Sequence, residues 1–313
     1  MPQLLKTLDH LPAHLVRGAV AVGNFDGVHT GHARLIEQLV ATAKRYSGPA
    51  VVMTFDPPPS ALLFPERRLS APLTSIPRRA ELLFALGVDA VIAYPTDAAL
   101  LSLTAEEFFQ LKIVDSLQAR SMVEGPNFRF GRDRIGDVQH LRALCTAANI
   151  DFQVVAPSQD AHGMISSTRI RQRLLAGQIA EANSMLTQPY VLQGIVVTGA
   201  QRGSQLGFAT ANLSHIETML PGSGVYAGQV QWIDSLSQPQ KYAVALNIGP
   251  NPTFGESNTK VEAHLIGYAG GPLYAQRLEI TLLDKIRDVR KFDSIQELQT
   301  QISQDVAACA KFH

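Results

Sequence analysis

Two histidines three residues apart, His29 and His32, close the run Gly23-Asn24-Phe25-Asp26-Gly27-Val28-His29-Thr30-Gly31-His32, where a short apolar stretch gives way to a helical pattern. Residues at that spacing share one side of a helix. Gly31 between them removes a side chain and lets a ligand approach the backbone. A helix start also presents unpaired N–H groups and a partial positive charge, which favours a phosphate. Two imidazoles there can donate hydrogen bonds to a triphosphate as negative charge builds on a departing pyrophosphate. The competing reading is a pair of capping or surface histidines; the buried run directly before them weighs against it. A second cluster, Gly199 to Asn212, is glycine-rich and ends in Thr210-Ala211-Asn212.

The elements that must position these residues change character along the chain. In the first half, buried-strand runs at 18–25, 50–55, 89–94, 121–124 and 152–156 alternate with helical patterns at 31–46, 79–86 and 138–148. Leu35, Leu39 and Ala43 set the period of the first helix, and Thr104 opens another with the capping pattern T-A-E-E. A further helix starts at Ser167. Alternating β and α with short links predicts an α/β fold, a parallel sheet covered by helices on both faces, with ligands bound where strands end. From Tyr190 onward strand-like runs dominate, at 190–198, 225–233, 242–248, 261–266 and 277–283. Gly, Pro, Asn and Ser clusters separate them, as in an all-β barrel or sandwich. A last helix at 295–310, capped by Asp293 or Ser294, closes the chain. The change of period places a domain boundary at about residue 187, giving domains 1–187 and 188–313.

The chain has 313 residues, 46% of them hydrophobic and 17% charged, which suits two ordinary cores and argues against disorder. Lys plus Arg and Asp plus Glu both number 27, so there is no global pull toward nucleic acid. Cys145 and Cys309 have no metal or disulfide spacing, and no segment approaches the length of a spanning helix. These features predict a cytoplasmic protein that binds neither nucleic acid nor membrane.

The run from Gly23 to His32 resembles the nucleotidyltransferase signature of the bacterial bifunctional riboflavin kinase/FAD synthetase family. Further blocks agree in order. Thr54-Phe55-Asp56-Pro57 is similar to the family's T-F-D-P, with Pro58 where histidine is usual. Gly125-Pro126-Asn127-Phe128-Arg129-Phe130-Gly131 resembles its G-x-D/N-F-R-F-G loop, and Ser166-Ser167-Thr168-Arg169-Ile170-Arg171 its S-S-T-x-I-R segment. The resemblance implies a Rossmann-like nucleotidyltransferase domain in which FMN attacks the α-phosphorus of ATP, giving FAD and pyrophosphate. His29, His32 and Arg171 would then be catalytic, with Gly23, Phe25, Asp26, Gly31, Ser166, Ser167 and Thr168 at the nucleotide. Each block also has its own physical reading. The hydroxyls cap a helix N-terminus and Arg171 neutralises phosphate. Asn127 suits a polar contact with flavin or nucleotide, and Phe128 and Phe130 can stack on an isoalloxazine ring. The plainer alternatives are an N-cap, a turn asparagine, a turn aspartate at Asp26 and core aromatics.

The second half continues the resemblance. The glycine-rich stretch with Gly199, Gly203 and Gly207 is similar to the riboflavin kinase loop, whose P-T-A-N holds the magnesium–nucleotide through residues matching Thr210 and Asn212. Asn247-Ile248-Gly249-Pro250-Asn251-Pro252-Thr253-Phe254 matches a block around that site. Val261-Glu262-Ala263-His264 matches a V-E-x-H segment, which implies that Glu262 is the general base on the ribityl 5′-hydroxyl. Arg287-Asp288 and Lys291-Phe292-Asp293 match the approach to the last helix. The family usually has arginine at Ser204, proline at Ala209, D-L-Y-G at Pro272-Leu273-Tyr274-Ala275 and often glutamate at Val289. Loss of the proline frees the backbone at the metal-binding turn. The resemblance implies riboflavin, FMN and ATP as small-molecule partners and Mg²⁺ as cofactor. One alternative is an adenylyltransferase whose second domain only binds flavin. A more distant one is an aminoacyl-tRNA-synthetase-like RNA-binding protein, since H-x-G-H occurs there too.

Overall fold

The computed structural model describes residues 1–63, 70–199, 207–233, 240–251, 253 and 257–312. The chain divides into two compact units, Met1–Ser70 with Thr74–Ser166, and Ala71–Leu73 with Ser167–His313.

The first unit is a doubly wound α/β layer. Strands β1 (Gln3–Leu5), β2 (Ala19–Val22), β3 (Ala50–Asp56), β4 (Ala90–Pro95), β5 (Ser121–Glu124) and β6 (Asp151–Val154) form one parallel sheet in the order β1-β4-β3-β2-β5-β6. Helices α1 (Thr30–Arg45), α2 (Ser60–Leu63), α3 (Ile76–Ala85), α4 (Ala98–Ser102), α5 (Ala105–Phe108) and α6 (Val138–Ala147) fall between strands, and a π-helical segment Phe109–Ser116 prolongs α5. Alternate residues of each strand face opposite layers. Ala19, Ala21, Val52 and Val91 pack with Ile36, Leu39 and Ala43 of α1 and Leu83 of α3. Val20, Val22, Met53, Ile92 and Met122 pack with Phe108, Phe109, Ile113 and Leu141 on the other side. The capping box expected at Thr104 is formed with Glu107. Strand β2 ends at Val22 and does not run to Phe25, because Phe25 and Val28 take left-handed backbone angles (φ 47° and 41°) incompatible with a strand. A two-stranded hairpin, β7 (Gln159–Asp160) with β8 (Gly163–Met164), precedes the second unit.

The second unit opens with helices α7 (Ser167–Leu175) and α8 (Ile179–Met185) and continues into six antiparallel strands. These are β9 (Val191–Val197), β10 (Ala211–Ser214), β11 (Gly224–Trp232), β12 (Tyr242–Gly249), β13 (Lys260–Leu265) and β14 (Arg277–Arg287), closed as a barrel in the order β10-β13-β12-β11-β14-β9. The two helices pack with the barrel: Gly222 N donates to Leu174 O at 3.0 Å and Asn183 Nδ2 to Leu282 O at 2.8 Å. The short strand β10 was read in the sequence only as a loop ending. It pairs with both β9 and β13 and so closes the barrel.

Helix α9 (Ile295–Cys309) covers one side, capped by Ser294, whose Oγ accepts from Glu297 N at 3.1 Å. The buried Asp305 carboxylate of α9 receives Arg287 Nε at 3.0 Å and Nη2 at 2.7 Å, together with Gln301 Nε2 at 2.8 Å. This pair fastens α9 to β14. Asp305→Ala leaves the guanidinium half-buried without its counter-ion and is expected to destabilise the chain by about 3 kcal/mol. Urea unfolding measures it; a loss below about 0.5 kcal/mol would mean the pair behaves as a surface contact.

Candidate active site

In the first unit, β2 hands over to α1 through residues 23–29, and a buried polar network holds that turn. Asp26 Oδ1 accepts from Thr74 N at 3.1 Å and Thr74 Oγ1 at 3.2 Å, and pairs with Arg79 Nη2 at 3.2 Å. Arg79 also donates to Thr54 Oγ1 at 3.1 Å and Thr74 O at 3.2 Å, while Thr54 Oγ1 donates to Asn24 O at 3.0 Å. Asp26 is 7% and Arg79 5% exposed, so both charges lie away from water and hold each other. Arg79 and Thr74 are not among the candidate residues of the sequence, and Thr54 enters there only within the T-F-D-P block. The only signal was Arg79 itself, a charge in the buried stripe of α3 beside Ala80, Leu82 and Leu83.

His29 is the N-cap of α1. Its Nδ1 accepts from His32 N at 3.2 Å, which places the ring proton on Nε2 and makes that atom a donor. The His29 and His32 rings stack at 3.6 Å between centroids with 14° between planes, and Phe25 lies 5.1 Å from His32. Phe25 is buried and packs in the core beside α1. Burial lowers His29 to about 4, and burial, the neighbouring His29 and Arg79 lower His32 well below its usual value. Both rings are therefore neutral near pH 7. Gly31 serves the imidazole first: a Cβ there would stand 3.0 Å from His29 Nδ1 and 3.1 Å from its Cε1. At Gly23 a Cβ would meet Phe25 Cε2 at 3.1 Å.

The sheet itself opens here. Ala19 and Gly23 donate toward β3, to Pro49 O and Met53 O, so the intervening Val22 N–H faces β5. It is received at 2.7 Å by the side-chain Oε1 of Glu124. The backbone pairing of β2 with β5 covers only Ala19–Ser121 and Val20–Met122. The strands thus part at the topological switch point, where doubly wound sheets bind ligands. Burial raises the Glu124 carboxyl well above the carboxylate range.

In the loop after β5, Phe130 is buried and stacks with Phe128 at 5.4 Å, with Phe108 and His140 at 6.1 and 6.0 Å. Phe128 is partly exposed and Asn127 exposed. Of the S-S-T-x-I-R segment, Ser166 and Ser167 are half-buried and Thr168 is exposed. Arg171 lies one helical turn after Ser167 on α7.

In the second unit, Asn212 of β10 and Asn247 of β12 both lie directly opposite Glu262 of β13. Direct partners share a sheet face. The inward neighbours Ala211, Leu213, Val261, Ala263, Leu246 and Ile248 are buried, so the polar row lies on the outer face. Asn251 Nδ2 donates to Glu262 Oε2 at 3.1 Å. Gly199 abuts Asn212, whose amide would collide with a Cβ there. Gly207 takes φ 87° in open space. The Ala209 carbonyl accepts from His264 Nδ1 at 2.9 Å, and Phe208 packs edge-on to that ring at 5.8 Å. Gly203 and Ser204, with Pro252 and Phe254 of the N-I-G block, lie outside the described residues.

A doubly wound parallel sheet with H-x-G-H at its switch point, joined in one chain to a closed antiparallel barrel, defines a nucleotidyltransferase-like protein with a barrel domain. The chain belongs to the bifunctional riboflavin kinase/FMN adenylyltransferase family: the FAD synthetase family matches residues 12–169 and the riboflavin kinase family residues 186–313. The bifunctional riboflavin kinase/FMN adenylyltransferase of Escherichia coli K12 is 33% identical, covering 99% of this chain and 97% of its own. The protein of that name from Pseudomonas fluorescens is 36% identical, covering 98% and 96%. A crystal structure described as a macrolide-efflux protein from Streptococcus pneumoniae superposes with a TM-score of 0.87 at 30% identity, covering 100% of this chain and 99% of that one. Among the described residues of this chain no helix is long and apolar enough to cross a membrane.

The histidine pair makes stability depend on acid. A histidine in the unfolded chain titrates near 6.5, and His29 in the folded chain at about 4. Between those values the unfolded state binds more protons, so stability is present above about pH 6.5 and is lost as pH falls toward 4. His29→Gln is expected to flatten the fall of Tm over that window. An unchanged slope would mean that His29 is not held neutral by burial.

Proposed function

We propose that this chain makes FAD in two ATP-dependent steps, phosphorylating riboflavin to FMN and adenylylating FMN with release of pyrophosphate. One observation carries the reading: a single chain pairs the His29–His32 stack at a helix start with the Asn212–Glu262 pair on a barrel, each in the segment matching the corresponding family. We assign the first chemistry to 1–187 and the second to 188–313.

In adenylyl transfer a phosphate oxygen of FMN bonds to the α-phosphorus of ATP as the bond to the β-phosphate oxygen breaks. His29 Nε2–H and the N–H groups at the start of α1 receive the charge that builds on pyrophosphate. Because both imidazoles are neutral, they act as aimed dipoles and not as fixed charges. Asp26 keeps the turn in place through Arg79. Ser166, Ser167, Thr168 and Arg171 are carried to the same reaction on their sequence pattern. Phe128 offers the ring face for the isoalloxazine, with Asn127 beside it and Phe130 supporting from the core.

In phosphorylation the riboflavin 5′-hydroxyl oxygen bonds to the γ-phosphorus, its proton passes to Glu262, and ADP leaves. Asn212, directly opposite Glu262, and Thr210, two residues before it, supply oxygen donors of the kind that fits Mg²⁺ shared with nucleotide phosphates. No cluster of three His, Cys, Asp or Glu that could hold a metal alone occurs among the described residues. Mg²⁺, when bound with ATP, neutralises phosphate charge. The carbonyl of Ala209, which stands where the family usually has proline, accepts a hydrogen bond from His264. Neither reaction forms a covalent enzyme intermediate; positioning and charge stabilisation carry both.

Purified protein incubated with Mg²⁺-ATP and riboflavin, and separately with FMN, is expected to yield FMN then FAD, and FAD, respectively, resolved by chromatography. FAD from FMN with riboflavin unchanged would reduce the barrel to a flavin-binding module. Gly31→Ala, which displaces the His29 ring, is expected to slow FAD formation at least tenfold and spare FMN formation. Glu262→Gln is expected to do the reverse, by about a hundredfold.

A further inference from the structure

We propose that Asn251 is a positioning residue for riboflavin phosphorylation, aiming the Glu262 carboxylate by the hydrogen bond from its Nδ2. The inference rests on the reading of Glu262 as the base. An ionised carboxylate only accepts, so the Asn251 amide must turn its NH₂ toward Glu262 Oε2, at 3.1 Å. Its Oδ1 then faces back to Asn247, whose Nδ2 approaches at 3.4 Å. The order Asn247, Asn251, Glu262 is thus a one-way chain of donors ending on the base. A glutamate on the outer face of a barrel strand is free to turn about its last bonds. Holding Oε2 restricts that rotation and leaves Oε1 for the hydroxyl proton.

The backbone is built to deliver Asn251 to that place. Gly249 ends β12 at φ 141°, where a Cβ would press on Ser223 Oγ and Val289 Cγ2, both at 3.1 Å. The chain can therefore leave the sheet there and pass back over the outer face. Two residues beyond Asn251, Thr253 Oγ1 accepts from Phe292 N at 3.2 Å, and Phe292 lies under Arg287 and Arg290 at 5.7 and 4.7 Å. Gly249 and Thr253 are thus each fixed on either side of the asparagine.

The test compares Asn251→Ala with Asn251→Asp in the full-length chain. Aspartate has the shape of asparagine, so a merely structural role makes it the milder change. It cannot donate when ionised and sets a like charge against Glu262, so the positioning role makes it the harsher one. We expect kcat for riboflavin phosphorylation to fall about tenfold in Asn251→Ala and further in Asn251→Asp. KM for riboflavin and ATP should stay within about twofold, which shows that the barrel still folds and binds both substrates, and FMN adenylylation by the same samples should be unchanged. Asn247→Ala, which spares the Asn251 bond, should lower kcat less than Asn251→Ala. Aspartate equal to or better than alanine, a rise in KM with kcat kept, or a larger effect at Asn247 would overturn the proposal. Wild-type protein that leaves riboflavin unphosphorylated would instead overturn the reading on which it rests.

Discussion

The guanidinium of Arg79 reaches from α3 to the Asp26 carboxylate at the C-terminal edge of the parallel sheet, and much of the first unit's site hangs on that buried pair. Taking two charges out of water costs several kcal/mol each, offset only when geometry and extra hydrogen bonds are good. Thr54 and Thr74 supply those bonds and tie β3, the turn and α3 into one piece. The turn is thereby forced through left-handed angles at Phe25 and Val28, which end β2 early and swing His29 into the N-cap position. The cap then selects the tautomer, and the tautomer decides which imidazole nitrogen donates. The salt bridge thus holds the turn that carries the histidines, while burial keeps both rings neutral and the cap hydrogen bond selects the His29 tautomer.

The barrel works under a different constraint. Closing six strands leaves no free edge, so the inner face can be filled with apolar side chains and the outer face is free to carry polar rows. The strand that closes it, β10, is also the one that carries Asn212. Closure sets the lateral distance between β10 and β13 and so brings Asn212 opposite Glu262. His264, two residues along the same strand, holds the loop that leads into β10. Fold and site share the same hydrogen bonds here.

Much of this was legible in the residues. The alternation of buried runs with helical periods identified both layers, and Ser294 and Thr104 capped as their side chains dictate. His29, His32, Thr210, Asn212 and Glu262 are candidate site residues by type and spacing or by resemblance. Other features did not. Strand β10 is four residues long, too short to show a period, and is a strand only because β9 and β13 flank it. Glu124 reads as the polar end of an apolar strand, yet its carboxyl takes the amide of Val22 across the sheet. The helices at 167–185 pack with the barrel although the β-rich pattern begins only near residue 190.

By itself the sequence determined what depends on neighbours a few residues away: period, caps, turn chemistry and the presence of an imidazole pair at a helix start. Those are set by local backbone geometry and side-chain type. Tertiary structure alone decided which charges meet, which imidazole nitrogen carries a proton, that Gly31 makes room for a ring, and that Asn251 returns over Glu262. Each of these joins groups distant along the chain or depends on burial, and neither distance across a fold nor loss of water is written in any local pattern.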